Sequence, residues 1–186
     1  QQNKFMLTKT DKQLILEMHK DISIYSPWTN ADLFRKIIDE LSEPFLGLKV
    51  DKVLGAEARG FILGGAVAYK LSAGFALARK KDKMYVWNYP KNLVFSEEFV
   101  DYSGEKKALE LEKDGKGIKS RDRVVIIDDW YGTGSQGNAA IRLVEKAGGK
   151  VVGVGVMLDE MTEEVKKRFN PYNFHALIKR VAEVKN

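Results

Sequence analysis

The hydrophobic pattern divides the chain into a helical beginning and a longer stretch in which short apolar runs alternate with helical ones. Apolar residues recur at helical spacing over residues 11–18 and again over 30–41, where Asn30 is a candidate N-cap. The apolar stripe of the second segment consists of Leu33, Phe34, Ile37, Ile38 and Leu41. The pattern therefore predicts two helices before residue 50.

After Val50 the pattern changes to short runs that are typical of buried strands. These runs cover residues 53–56, 75–78, 123–127 and 151–158, and helical spacing follows the first and the third of them. Continuously apolar strands that alternate with helices indicate a parallel sheet covered on both faces, which is an α/β fold. In such sheets ligands bind beyond the carboxyl ends of the strands, so the chemistry is expected there.

Composition narrows the class of protein without identifying its reaction. A length of 186 residues fits a single domain, and 44% hydrophobic with 31% charged residues is typical of a globular protein. The absence of cysteine excludes disulfides and thiolate catalysis. No apolar run reaches the roughly 18 residues needed to span a bilayer and no secretory signal pattern is present, so we expect a cytoplasmic protein. The net charge of +5 favours anionic partners, either nucleic acid or a phosphorylated small molecule.

The strongest chemical pattern follows the third strand-like run. Two adjacent acids, Asp128 and Asp129, precede a turn that opens a helix and consists of Gly132, Thr133, Gly134, Ser135 and Gln136. Glycines let backbone amides converge, and a helix N-terminus favours a phosphate. The two carboxylates suit ribose hydroxyls or a hydrated Mg²⁺. A general nucleotide-binding turn is the alternative, but neither the Walker spacing nor G-x-G-x-x-G is present here.

This order of strand, two acids, two bulky residues and a Thr-Gly loop resembles the signature with which type I phosphoribosyltransferases bind phosphoribosyl pyrophosphate (PRPP). A second segment, 55–61, ends in Ala58-Arg59-Gly60-Phe61 and resembles the pyrophosphate loop of the adenine phosphoribosyltransferases. The resemblance extends from about residue 20 to about residue 181. It implies a central, mostly parallel sheet flanked by helices in a single domain 1–186, with a small hood contributed by residues 1–30 and 159–186.

The resemblance implies transfer of ribose 5-phosphate from PRPP to a purine base, with adenine favoured. Arg59 would neutralise the departing pyrophosphate and Asp101 would exchange a proton with the base, although a surface ion pair and a surface acid are the alternatives. Mg²⁺ would arrive with PRPP and be held in part by Asp128 and Asp129. The residues that would bind PRPP are Glu57, Ala58, Arg59, Lys80, Lys83, Asp128, Asp129, Gly132, Thr133, Gly134, Ser135 and Gln136.

Base recognition is implied for the segment that contains Lys20-Asp21-Ile22-Ser23, which resembles the Arg-Asp-Ile-Ser of the family's hood. The residues expected near the base are Met18, His19, Lys20 and Glu160. A Glu160 carboxylate facing the base would accept hydrogen bonds from guanine, hypoxanthine or xanthine, so an oxopurine enzyme is the alternative. His19 as a partly buried histidine and Glu160 as a helix N-terminal acid are the structural alternatives.

The resemblance also implies a homodimer in which the basic segment 79–83 contributes to the neighbouring site, with no nucleic acid or membrane partner. The chain departs from the family pattern in having Asp101 for Glu, Gln136 for Thr, and Trp130 and Tyr131 for smaller aliphatics. A regulator on the same fold that senses PRPP or a nucleotide would show such changes. An aromatic segment with Tyr85, Trp87, Tyr89 and Phe95 would cover a base, contact a partner or form a local cluster.

Overall fold

A computed structural model describes residues 6–21, 26–84, 91–113 and 116–180. The α-helices in these ranges are α1 (Lys9–His19), α2 (Ala31–Ser42), α3 (Arg59–Lys70), α4 (Ser135–Lys146) and α5 (Glu163–Lys166). The strands are β1 (Lys52–Ala56), β2 (Gly74–Lys80), β3 (Leu93–Phe95), β4 (Phe99–Val100), β5 (Lys106–Lys107), β6 (Leu109–Glu112), β7 (Arg123–Tyr131), β8 (Lys150–Asp159) and β9 (Phe174–Lys179). Short 3-10 helices cover Pro27–Thr29, Glu43–Phe45 and Asn170–Tyr172.

Within the described ranges, one sheet has seven strands in the order β3-β6-β2-β1-β7-β8-β9. The pairs β2–β1, β1–β7, β7–β8 and β8–β9 are parallel. At one edge of the sheet β6 pairs antiparallel with both β2 and β3. The prediction of a mostly parallel sheet is therefore confirmed. The carboxyl ends of β1, β2 and β7 meet at the same edge, which is where an open α/β sheet binds ligands.

Helices cover both faces of this sheet, and β7 shows why its sequence is continuously apolar. Val124 and Ile126 belong to a buried cluster with α4, while Val125 and Ile127 belong to a second cluster with α1, α2 and α3. Side chains of a strand alternate between faces, so a strand buried on both faces needs an apolar residue at every position.

Capping hydrogen bonds determine where the first two helices begin. The Asn30 side chain accepts a hydrogen bond from the backbone N–H of Leu33 at 3.0 Å, which confirms it as the N-cap of α2. Helix α1 begins at Lys9 because Thr8 and Asp11 form a capping box. The apolar spacing had indicated a later start at residue 11, since the first turn presents polar residues.

The sequence pattern placed the end of β7 at residue 127, but the strand continues to Tyr131 and contains both acids. Four further strands, β3, β4, β5 and β6, have only two to four residues each, too few to show a period of two. The edge strand β9 was not predicted either. A single domain with a small hood stays a prediction.

None of the helices in the described ranges is both long and apolar enough to cross a membrane. Some predicted features lie outside these ranges: Ile22 and Ser23 of the hood segment, and Tyr85, Trp87 and Tyr89 of the aromatic segment.

Candidate active site

A cleft of about 240 Å³ opens beyond the carboxyl ends of β1, β2 and β7. It is bounded by the start of α3, the turn between β4 and β5, and the loop that leads into α4. The lining residues are Glu57, Ala58, Arg59, Lys80, Asp101, Tyr102, Asp129, Trp130, Tyr131, Gly132, Thr133, Gly134, Ser135 and Gln136. The structure thus brings most residues of the predicted PRPP set together in one place.

The loop of residues 132–136 has the geometry of an anion-binding turn. Gly134 has a φ of +68°, in the left-handed region that favours glycine, and α4 begins at the next residue. The Thr133 hydroxyl donates to Ser135 Oγ at 3.0 Å, so both hydroxyls lie at the start of the helix. The backbone amides and the dipole at a helix N-terminus favour a phosphate group.

The two adjacent acids occupy different positions, because successive residues of a strand face opposite sides. Asp129 lines the cleft, and its Oδ2 lies 3.4 Å from Arg59 Nη1. Asp128 is almost fully buried and is not among the lining residues. Its carboxylate lies close to Gly60, where a Cβ atom would come within 2.9 Å of Asp128 Oδ1. A side chain at this position would therefore force Asp128 or the backbone of Ile127 to shift.

Gln136 provides one of the hydrogen bonds that the buried Asp128 carboxylate accepts. The Gln136 Nε2 group donates to Asp128 Oδ2 at 2.9 Å, and the backbone N–H of Asp129 donates to Asp128 Oδ1 at 3.0 Å. The side chain that replaces the family's threonine thus supports an acid beneath the cleft. Direct contact of Asp128 with PRPP or a metal stays a prediction.

Burial raises the pKa of Asp128 well above its ordinary range, and the neighbouring Asp129 charge raises it further. Burial also raises the pKa of Asp129, although the Arg59 guanidinium opposes this shift. Two buried carboxylates side by side are costly when both are ionised. The site is therefore electrostatically suited to a cation or to developing positive charge.

Glu57 directly follows β1 and forms hydrogen bonds with residues at the end of β2. Its carboxylate accepts hydrogen bonds from Arg79 at 3.3 Å through both oxygens and from the backbone N–H of Lys80 at 3.0 Å. Arg79 is therefore engaged by its own chain, while Lys80 lines the cleft beside Ala58 and Arg59. The peptide bond between Glu57 and Ala58 is cis.

The turn after β2 is held by an acid that the sequence reasoning missed. Glu110, fully buried in β6, accepts the backbone N–H of Asp82 at 3.0 Å, that of Lys83 at 2.9 Å and that of Met84. Lys83 itself does not line the cleft. Because Glu110 alternates with leucines along its strand, its sequence resembles an exposed strand face and gave no signal of this role.

Asp101 lies in the turn between β4 and β5, at the mouth of the cleft. Its carboxylate accepts hydrogen bonds from the Ser103 hydroxyl at 2.6 Å, the Ser103 N–H at 2.9 Å and the Glu105 N–H at 3.3 Å. The hydrogen bond from the Ser103 side chain is the largest influence that lowers the pKa of Asp101. Asp101 is therefore ionised at neutral pH and places a negative charge at the mouth of the cleft.

The predicted base-binding residues Met18, His19, Lys20 and Glu160 do not line the cleft. Glu160 instead accepts a hydrogen bond from Trp130 Nε1 at 3.0 Å and forms an ion pair with Arg180 at 2.7 Å. The His19 ring lies 5.1 Å from the Trp130 ring, and burial lowers its pKa. His19 and Glu160 therefore contact Trp130, which lines the cleft and stands where the family pattern has a smaller aliphatic residue.

The chain belongs to the phosphoribosyltransferase family, since the family described as phosphoribosyl transferase domain matches residues 28–185. The adenine phosphoribosyltransferase of Mesorhizobium japonicum is 42% identical over 130 residues, which cover 70% of this chain and 67% of that protein. The enzyme of the same name from Brucella ovis has the same identity and coverage. The predicted resemblance to this family is confirmed.

Solved structures of adenine phosphoribosyltransferases share the fold. The enzyme from Rhodothermus marinus has a TM-score of 0.74 and 30% identity, covering 93% of this chain and 100% of that one. The enzyme from Thermoanaerobacter pseudethanolicus has a TM-score of 0.73 and 31% identity, with 86% and 87% covered. The Giardia lamblia enzyme, solved with 9-deazaadenine, has a TM-score of 0.70 and 26% identity, with 82% of each chain covered. The fold is thus that of the type I phosphoribosyltransferases.

Proposed function

We propose that this chain transfers ribose 5-phosphate from PRPP to adenine, which yields AMP and pyrophosphate and salvages the base. The observation that carries the proposal is the meeting of a phosphate-binding loop, a carboxylate and an arginine in one cleft, at Gly132–Gln136, Asp129 and Arg59. The names of the relatives support the choice of adenine and favour an enzyme over a sensing regulator.

In the proposed reaction a nitrogen of the base forms a bond to the anomeric carbon of ribose, and the bond from that carbon to pyrophosphate breaks. Positive charge develops on the ribose and negative charge on the leaving group, so catalysis depends on positioning and electrostatics. Residues 132–136 would hold the 5-phosphate, and Asp129 would lie at the ribose. Arg59 and Lys80 would neutralise the pyrophosphate.

Mg²⁺ suits this site chemically, because it prefers carboxylate and phosphate oxygens and retains water ligands. The described residues contain no group of three or more His, Cys, Asp or Glu side chains placed to hold a metal by themselves. We therefore propose that Mg²⁺ arrives with PRPP and that Asp129 is its main protein contact, with Asp128 behind it. The ion would supply positive charge beside the pyrophosphate.

Asp101 is proposed to accept the proton that adenine loses when its ring nitrogen bonds to ribose. Its lowered pKa keeps it ionised, and its hydrogen bonds to Ser103 and Glu105 fix the carboxylate in the turn. A proton acceptor must come within hydrogen-bonding distance of the proton it removes. Asp101 lines the same cleft as Asp129, which supports this role.

Adenine should be the preferred base. With adenine, guanine, hypoxanthine and xanthine at equal concentration and PRPP limiting, we expect adenine to be consumed at least about tenfold faster than any other base. The physical reason is that the Glu160 carboxylate is already engaged by Trp130 and Arg180, so it is not directed at donors of an oxopurine.

The variant Glu160→Leu serves as the control for base choice, and it should leave the order of preference unchanged. Faster consumption of an oxopurine by the natural chain would contradict the assignment. In that case Glu160→Leu should shift the preference toward adenine.

We also propose a homodimer in which Lys83 serves the neighbouring site. Ile62 and Tyr69 of α3 and Leu77 of β2 are exposed apolar side chains that would support an interface, and Leu77 precedes the 79–83 segment by two residues. Light scattering should give about twice the mass of one chain. Cytoplasmic localisation stays a prediction.

Mixing two impaired variants tests the shared site directly. Lys83→Ala and Asp129→Asn should each be weakly active alone, but mixed dimers contain one intact site, so activity should rise toward about a quarter of the natural value. No recovery on mixing, in dimers shown to exchange subunits, would contradict a contribution of Lys83 to the partner.

A further inference from the structure

Trp130 links the cleft to residues that do not line it. Its Nε1–H donates to Glu160 Oε2 at 3.0 Å, and its ring lies 5.1 Å from the ring of His19. On the cleft side, the Tyr102 ring approaches it edge-on, with ring centroids 5.3 Å apart. The indole is therefore fixed from one end and offers an aromatic surface to the turn that carries Asp101.

The turn that Trp130 contacts projects from a small hairpin. Strands β4 and β5 pair through only two residues each, and Phe99 packs against the core at the base of the hairpin. At the tip, Tyr102 is 65% exposed even with its ring against Trp130. A two-stranded hairpin of this size is not stable by itself, so tertiary contacts set the position of its tip.

We propose that Trp130 is a positioning residue for the transfer reaction: Glu160 fixes the indole, the indole docks Tyr102, and Asp101 is thereby held at the cleft. This inference rests on the proposed function. It also gives Glu160 a role that requires no contact with the base. Edge-to-face aromatic pairs contribute enough to change an equilibrium or a rate by about two- to tenfold.

Kinetics of single and double variants test the docking. Trp130→Leu should lower kcat with adenine by about tenfold and change the KM for PRPP by less than about twofold, because the turn is mispositioned while PRPP still binds. Trp130→Phe keeps an aromatic surface and should restore most of kcat. Since both residues act through one contact, Trp130→Leu combined with Tyr102→Leu should lose no more than the more impaired single variant.

A second readout does not depend on turnover. The chain has three tryptophans, so an ¹⁵N spectrum should show three indole N–H signals, and Trp130→Phe identifies the one that belongs to Trp130. Tyr102→Leu should shift that signal, since the ring current of a neighbouring aromatic ring is removed. Glu160→Leu should speed its exchange with solvent by about tenfold, whereas Glu160→Gln keeps an acceptor oxygen and should not.

The outcomes separate this inference from the proposed function. Suppose that the natural chain converts adenine. If Trp130→Leu retains full kcat, or if the losses of kcat in Trp130→Leu and Tyr102→Leu multiply in the double variant, the inference is wrong and the proposed function stands. If the natural chain converts no base, the proposed function is wrong. The indole N–H signal of Trp130 then tests the docking by itself. If Tyr102→Leu leaves that signal unshifted, the docking is wrong.

Discussion

Replacing Asp129 with asparagine should lower kcat/KM for PRPP by about two to three orders of magnitude, while the fold remains at least as stable at neutral pH. Asp129 is the member of the acid pair that lines the cleft, beside Arg59 and the phosphate-binding loop. Asparagine keeps the shape and one acceptor oxygen but removes the charge that would favour a positively charged ribose. Steady-state kinetics with PRPP as the varied substrate measure the effect.

The expected stability follows from the pKa shifts of the pair. Burial raises the pKa of Asp128 and Asp129 in the folded chain, so the folded state binds protons more tightly than the unfolded state. Stability is therefore lost as the pH rises from the ordinary carboxyl pKa through the raised folded values, and the penalty remains at neutral pH. Asp129→Asn removes part of this penalty, and denaturation at pH 5 and pH 8 should show a larger gain at pH 8.

The matched control is Asp32→Asn, which removes a highly exposed carboxylate that pairs with Arg35 on the surface. Such pairs contribute little, so activity and stability should both remain close to those of the natural chain. Undiminished kcat/KM in folded Asp129→Asn would contradict the assignment of Asp129 to the ribose end of the cleft.

The variant Arg59→Lys should lower kcat by roughly ten- to a hundredfold and raise the KM for PRPP by less. The Arg59 guanidinium lies 3.4 Å from Asp129 at the beginning of α3, and it lines the cleft in which the leaving group would lie. An ammonium keeps the charge but loses the planar fork that binds two oxygens at once. The variant should therefore lose most stabilisation in the transition state, where negative charge develops on pyrophosphate.

Arg35→Lys, on the exposed face of α2, is the corresponding control and should change neither constant. An increase in KM for Arg59→Lys with kcat unchanged would mean that Arg59 binds the ground state and the transition state equally. Its role would then be substrate binding alone.

The sequence was sufficient to predict four strands of the sheet, β1, β2, β7 and β8, because their apolar runs leave a strong local pattern. Every position of β7 from Val124 to Ile127 is buried, and the glycine-rich turn after it opens a helix as predicted. The loop residues and the acids are neighbours along the chain, so their proximity in space required no knowledge of the tertiary fold. Arg59 was predicted to join them because its segment resembles the family's pyrophosphate loop, and in the structure it follows β1, a parallel neighbour of β7.

The remaining features depend on contacts between distant segments, for which a sequence carries no local signal. Which of the two acids faces the cleft depends on the strand continuing past Ile127. Glu110 resembles a surface residue until the turn after β2 folds onto it. Tyr102 and Trp130 meet only because the β4–β5 hairpin lies over the end of β7.

The most direct test of the central claim is to incubate the chain with PRPP, Mg²⁺ and adenine and to identify the products by mass. We expect AMP and pyrophosphate to form in equal amounts, and folded Asp129→Asn to form almost none under the same conditions. A folded natural chain that forms no AMP, or that forms it equally well after Asp129→Asn, would contradict the proposed transfer at this cleft.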